Sequence, residues 1–213
     1  MLPAVSLSYE KAETDIMRRK PRDPLVDRLI NTRLLVFAYL QLGMIEGLST
    51  CFTYFVVMGN FGYAPWALIG MGNFFCSADK VIVFQDKTGA YRDTYEYGRT
   101  EALYSAQMAC FCSYVICQWG ALIVCKTRKL SLFQQGMNNW VLNIGLLQET
   151  CIVALLAYFP PFNTAFSTRP ISAVHWTPPL GFFGFIIIFD EVRKFLIRGD
   201  SRISLWLQEF SYY

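Results

Sequence analysis

Histidine is almost absent from this chain of 213 residues, and charge is scarce: one His, and Asp, Glu, Lys and Arg together only 16%. The single His175 borders an apolar run and has no nucleophile beside it, which excludes a histidine-based catalytic set and reads as an interfacial residue. Seven cysteines are present but no Cys-x-x-Cys pair. Six of them (Cys51, Cys110, Cys112, Cys117, Cys125 and Cys151) lie in or at the ends of apolar runs, so they read as small packing residues and predict neither a disulfide framework nor a zinc site; Cys76 stands alone in a polar stretch. No basic leader or cleavage site opens the chain, so no signal peptide is expected. The net charge of +3 does not point to nucleic acid, because the basic residues are dispersed among loops.

Hydrophobic residues dominate instead: they make up 54% of the chain, which is too apolar for a soluble domain of this length and predicts an integral membrane protein. The central feature is a hairpin of two apolar runs, Leu103 to Val124 and Trp140 to Phe159, joined by a short turn with Lys126, Arg128 and Lys129. Each meets the roughly 20 residues a helix needs to cross hydrocarbon. Leu34 to Met58 forms another span, with Gly43, Gly47 and Cys51 as a small-residue stripe for close helix approach. The last runs from about His175 to Phe189, shifted by Pro178-Pro179.

The predicted fold is therefore all-α: a polytopic helical membrane bundle of four full spans preceded by a truncated half-helix. Its segments are the half-helix 1–13, expected to continue upstream, a loop 14–33, a span 34–58, a loop 59–102, a span 103–124, a loop 125–139, a span 140–159, a loop 160–174, a span 175–189 and a tail 190–213. Fourteen of the nineteen basic residues fall in residues 11–33, the turn after Val124 and the region from Asp190 onward. The positive-inside rule places these in the cytosol, with the loops 59–102 and 160–174 outside.

Polar groups inside the spans are the functional candidates, since an ionisable side chain at mid-membrane costs about 2.5–3.5 kcal/mol on insertion scales. They are Glu46 in the first full span, Gln118 in the second and the Gln148-Glu149 pair in the third. A protonated Glu149 that only holds helices together is the competing reading. Asp86-Lys87-Thr88-Gly89 resembles a phosphorylated-aspartate motif, but it continues Ala90-Tyr91-Arg92 in a loop with no strand-supported Mg2+ and nucleotide site, and is rejected.

Several motifs occur in a telling order: Pro3-Ala4-Val5-Ser6-Leu7, Pro21-Arg22-Asp23-Pro24, Cys125-Lys126-Thr127-Arg128, Phe133-Gln134-Gln135-Gly136-Met137, Asp190-Glu191-Val192-Arg193-Lys194 and the terminal Tyr212-Tyr213. This order resembles the C-terminal part of the catalytic α subunit of Na+/K+-transporting P-type ATPases over nearly the whole chain. The resemblance implies that the chain runs from the second half of membrane helix six through helix ten. It also implies that Gln118 and Glu149 match residues around the family's third sodium site, and that Tyr212 and Tyr213 form a C-terminal dock, expected against Arg128 and Lys129. Ser131, after Arg128-Lys129-Leu130, matches a kinase site; a plain loop serine is the competing reading.

The same resemblance implies a plasma-membrane location with the C-terminus in the cytosol, and contact with lipid and with the other helices and domains of an α subunit. Na+ and K+ would be the transported ions, with Mg2+ and ATP acting in domains that this chain lacks. No catalytic residue, resident metal or cofactor is expected here, and the chain alone is expected to hydrolyse no ATP. A non-catalytic, truncated paralogue that binds other membrane subunits is the alternative.

The sequence departs from the family at three places. Ala121 stands where the family has an acidic residue three positions after Gln118, Glu46 where it has glutamine, and Ala90-Tyr91-Arg92-Asp93 where it has the Ser-Tyr-Gly-Gln that grips the β subunit. A β subunit is a partner that the resemblance implies, but the family's usual grip on it is altered at these residues. With Ala121 the third site is expected to hold sodium weakly. Glu46, on another helix, is expected to face elsewhere.

Overall fold

A computed structural model describes residues 2–12, 16, 30–68, 82–85, 91–94, 96–128 and 130–199. The long elements are all helices, and the fold is a helical membrane bundle. Four long helices, α1 (Thr32–Asn60), α2 (Glu96–Cys125), α3 (Trp140–Tyr158) and α4 (Thr177–Arg198), account for most of it. Three stretches, Thr32–Asn60, Thr100–Cys125 and Trp140–Tyr158, are long and apolar enough to cross a membrane.

The helices outrun their apolar cores for local reasons. Asn31 caps α1 by accepting a hydrogen bond from the Leu34 amide at 2.8 Å, the usual service of an Asn at this position. Within α1, Val36–Gly43 is wound as a π-helix before the α-helix resumes at Met44. The charged run at Asp190, assigned to a tail from sequence, is part of α4, which continues to Arg198. Asp190 pairs with Arg193 and Lys194 at i,i+3 and i,i+4, the spacings that support a helix rather than end one. The start of α4 is Thr177, after a 3-10 turn Ala173–Trp176 that holds His175 outside the helix.

The connections also contain structure that a lack of regular period concealed. Short helices occupy Pro65–Leu68 and Pro160–Phe166, the second with Pro at its first turn, where the missing N–H costs nothing. Two short strands, β1 (Ile82–Gln85) and β2 (Tyr91–Thr94), pair antiparallel with Ile82 opposite Thr94. The Asp86 to Gly89 motif lies between these strands and outside the described residues.

The described residues form two compact units. One comprises the chain up to Gly47, Ile116–Glu149 and α4 from Gly181; the other comprises Leu48–Val115 and Thr150–Leu180. The first has a core of Phe37, Leu42, Cys117, Val124 and Ile186, with Ala121 packed on it. Close approach of α2 and α4 depends on Gly120: a Cβ there would sit 3.3 Å from side-chain atoms of Ile186 and Phe183. At Gly145 in α3 a Cβ would come within 3.2 Å of Pro3, so the short helix Leu2–Ser6 packs against a backbone without a side chain.

In the second unit the packing of α1 on α2 is in part polar. Ser49 Oγ and Ser113 Oγ are 2.9 Å apart, and Thr53 Oγ1 donates to the Ser49 carbonyl at 2.8 Å and lies 3.2 Å from Ser113 Oγ. All three residues are buried. Buried hydroxyls need such partners, so these join α1 to α2 beside an apolar core of Val57, Ala106, Ala109, Cys112 and Val153.

Candidate intramembrane cation site

The first compact unit brings two of the membrane's polar candidates into direct contact. Gln118 Nε2 on α2 donates to Glu46 Oε2 on α1 at 2.8 Å. Glu46 is only 9% exposed and Gln118 is half-buried. The expectation that Glu46 faces elsewhere is thus corrected. The azimuth of α1 is set by the burial of Phe37 and Leu42 and by the π-helical stretch between Val36 and Gly43, whose wider turns rotate every following side chain. A uniform α-helical period cannot register that rotation.

Glu149 is half-buried on α3 and its neighbour Gln148 is exposed. Ala121, half-buried one helical turn beyond Gln118, contributes only a methyl group to the core. Two further polar atoms of this unit are buried without a hydrogen-bond partner among the described residues, Gln41 Oε1 in the π-helical stretch and Trp119 Nε1 beside Gln118.

A second polar group ties the ends of these helices together, and sequence reasoning missed it. Asp190 accepts from Arg193 at 2.7 Å and from Lys194 at 2.5 Å. Lys194, with no exposed surface, also donates to the Val124 carbonyl at 3.2 Å and to Thr127 Oγ1 at 2.8 Å. Arg193 stacks on the Phe37 ring, 4.3 Å from its centroid. Lys126 donates to the Gly136 carbonyl and lies 3.4 Å from Glu10, while Asn139 Nδ2 donates to the Ser6 carbonyl and to Glu10. The i,i+4 spacing of Asp190 and Lys194 was the available signal.

The connection between α2 and α3 is ordered by these bonds. Ser131 caps the short helix Leu132–Gln135 in a reciprocal capping box with Gln134, and the Leu132 amide donates to Glu191 Oε1 at 2.7 Å. Ser131 is buried and its hydroxyl accepts from the Phe133 amide, so a kinase would first have to open this turn. Arg128 is exposed, whereas Lys129, Tyr212 and Tyr213 lie outside the described residues.

In the second unit, Arg169 Nε lies 2.7 Å from both oxygens of Glu101, and its guanidinium carbon sits 5.5 Å from the Tyr104 ring centroid. Trp176 Nε1 donates to the Tyr158 hydroxyl, which donates to the Ile171 carbonyl. His175 Nε2 is 3.0 Å from Asn60 Nδ2, and its Nδ1 is buried without a partner among the described residues. Burial pushes the pKa of His175 below its ordinary 6.5. The folded state therefore resists protonation that the unfolded chain accepts, so the contact should be firm above about pH 6.5 and weaken as the pH falls through that value. Amide exchange in residues 159–176 should accelerate between about pH 7.5 and pH 5.5, after correction for intrinsic rates, and His175→Gln should abolish the difference.

Apolar helices, a buried intramembrane carboxylate with an amide partner, and helix ends bound by buried ions define a polytopic membrane protein. The family described as Cation transporting ATPase, C-terminus, matches residues 1–196, and the chain belongs to it. Over 214 aligned positions, covering all of this chain, it is 42% identical to the sodium/potassium-transporting ATPase subunit alpha of Drosophila melanogaster. It is 41% identical to subunit alpha-B of Artemia franciscana and 42% to subunit alpha-4 of Rattus norvegicus. The chain spans about a fifth of the length of these relatives, 20–21%.

Proposed function

We propose that this chain is the C-terminal transport segment of an ATP-driven pump that exchanges Na+ for K+ across the plasma membrane. ATP and Mg2+ act in cytoplasmic domains outside this segment, and α1 to α4 complete the membrane bundle through which the cations pass. The C-terminus and the connection between α2 and α3 lie in the cytosol, where fourteen of the nineteen basic residues are expected. The partners of the segment are lipid and the remaining helices and domains of the α subunit. The departure at Ala90-Tyr91-Arg92-Asp93 leaves a β subunit without the family's usual grip.

The observation that supports this reading best is the buried Glu46 to Gln118 contact within otherwise apolar helices. A carboxylate and an amide at that depth are costly in a purely structural bundle and are the groups a cation path needs. Glu149 is a further oxygen donor within the same reading. The test is to replace the matching fifth of a sodium/potassium pump's α subunit with this chain. The chimera should reach the membrane and hydrolyse ATP in a Na+-dependent, K+-stimulated way. The chain alone should form no acid-stable phosphoenzyme from γ-labelled ATP. A chimera that reaches the membrane but shows no dependence on either ion would reject the reading.

A further inference from the structure

We propose that His175 is the sensor of a pH switch: the neutral imidazole holds the connection between α3 and α4 against the end of α1, and protonation releases it. His175 is the only histidine in the chain. It stands in the turn Ala173–Trp176, immediately before α4 begins. The orientation proposed above puts this turn on the outer side of the membrane, and that part of the inference rests on the transport reading.

The contact itself fixes the resting state of the ring. Asn60 is the last residue of α1, and its Nδ2 lies 3.0 Å from His175 Nε2. An amide nitrogen only donates, so Nε2 accepts and the ring proton sits on Nδ1. Nδ1 is buried and has no partner among the described residues. A proton taken from water adds to the Nε2 lone pair, and that nitrogen then faces Asn60 as donor against donor. The Asn60 amide loses its acceptor, and a cation is left half-buried with its second N–H unpaired. Both effects separate the turn from α1.

Among the described residues at this end of the bundle, the titratable groups on the surrounding elements are Tyr54, Tyr63, Tyr104, Tyr158, Glu101 and Arg169. The tyrosines are neutral near pH 7, and Glu101 is engaged by Arg169 at 2.7 Å. The imidazolium therefore gains no anion of its own from them. Burial already holds the ring below its ordinary 6.5, so the switch is closed at neutral pH and opens as the pH falls through about 6.5.

Release at His175 reaches further than one bond. The next residue, Trp176, donates from Nε1 to the Tyr158 hydroxyl at 3.1 Å, and that hydroxyl donates to the Ile171 carbonyl at 3.0 Å. Trp176 also packs on the core that holds Val57, Ala106 and Val153. One proton thus acts on the end of α1, the end of α3 and the start of α4 together.

The 213-residue chain, purified without a histidine tag and placed in lipid nanodiscs, gives a single imidazole NMR signal. At about pH 7.5 it should show the neutral tautomer with the proton on Nδ1, and its titration midpoint should lie below about 6.5. Amide exchange at His175 and Trp176 should rise severalfold in step with that titration. His175→Gln, whose amide oxygen can accept from Asn60, should keep the turn closed throughout. Asn60→Asp places a carboxylate on the ring, so it should raise the midpoint above about 6.5 and make acid tighten the turn instead. A native midpoint at or above 6.5, or an Asn60→Asp response in the native direction, would overturn the proposal. The orientation is checked separately, by antibody access in intact cells to an epitope inserted after Phe166. Detection only after permeabilisation would reject the outer placement and the reading it rests on, while the titration alone decides the switch.

Discussion

Asp190→Asn should destabilise the folded chain by about 3–5 kcal/mol, the usual result of leaving a buried ion unpaired. Asp190 is 3% exposed and its two oxygens hold Arg193 and Lys194. Without the carboxylate, the Lys194 ammonium would have only the Val124 carbonyl and the Thr127 hydroxyl among the contacts described here, neither of which carries a charge. The loss should extend to the connection between α2 and α3, because Thr127 lies at its start. Adding Lys194→Met to Asp190→Asn should recover part of the stability, since a buried ion pair replaced whole by apolar groups is often tolerated. Denaturant unfolding in mixed micelles, arranged as a double-mutant cycle, measures the coupling directly. A loss below about 1 kcal/mol for Asp190→Asn, in the range of exposed ion pairs, would mean that these charges are solvated.

In a pump that carries this segment, Ala121→Asp should tighten apparent sodium affinity by about tenfold or more, where each tenfold step corresponds to roughly 1.4 kcal/mol. It should also raise the sodium transported per ATP. Ala121 lies three residues after Gln118 on the same helical face and packs on the core of Phe37, Leu42, Cys117, Val124 and Ile186. A carboxylate there would stand beside the Gln118 amide in a water-poor setting, where an added negative charge acts strongly on a bound cation. Glu46 stands at the same amide but belongs to α1, and Glu46→Gln, which keeps an oxygen donor there, should leave the sodium count unchanged. Isotope flux per ATP in sealed vesicles decides the matter. A count unaffected by Ala121→Asp but altered by Glu46→Gln would make Glu46 the sodium-holding acid.

The contrast between Glu46 and the Asp190 group shows where linear reading stops. Both rest on charged residues visible in the sequence within or beside apolar runs. Asp190 and Lys194 are four apart, so their pairing follows once the helix is known to continue through them. It was hidden because a run of five charged or polar-flanked residues also looks like the end of a span. Glu46 and Gln118 are separated by 72 positions, and their contact depends on how two helices are rotated about their axes. Ser131 was visible as a serine after basic residues, yet its role as a cap, and the bond from the next amide to Glu191, depend on α4 folding back over the turn.

By itself the sequence determined the solvent, the helical class of the fold and the family, because hydrophobic length and motif order are properties of the linear chain; it expected four spans, where three stretches are long and apolar enough to cross a membrane. It also supplied the candidates Glu46, Gln118 and Glu149, since a polar residue in an apolar run is conspicuous wherever it ends up. Only the tertiary structure decided that Glu46 meets Gln118 and that Lys194 is buried against Asp190 and Thr127. The azimuth of a helix is the accumulated sum of its residue rotations, shifted in α1 by the π-helical stretch Val36–Gly43 and settled by packing at positions such as Gly120 and Gly145, where a single Cβ would force the helices apart.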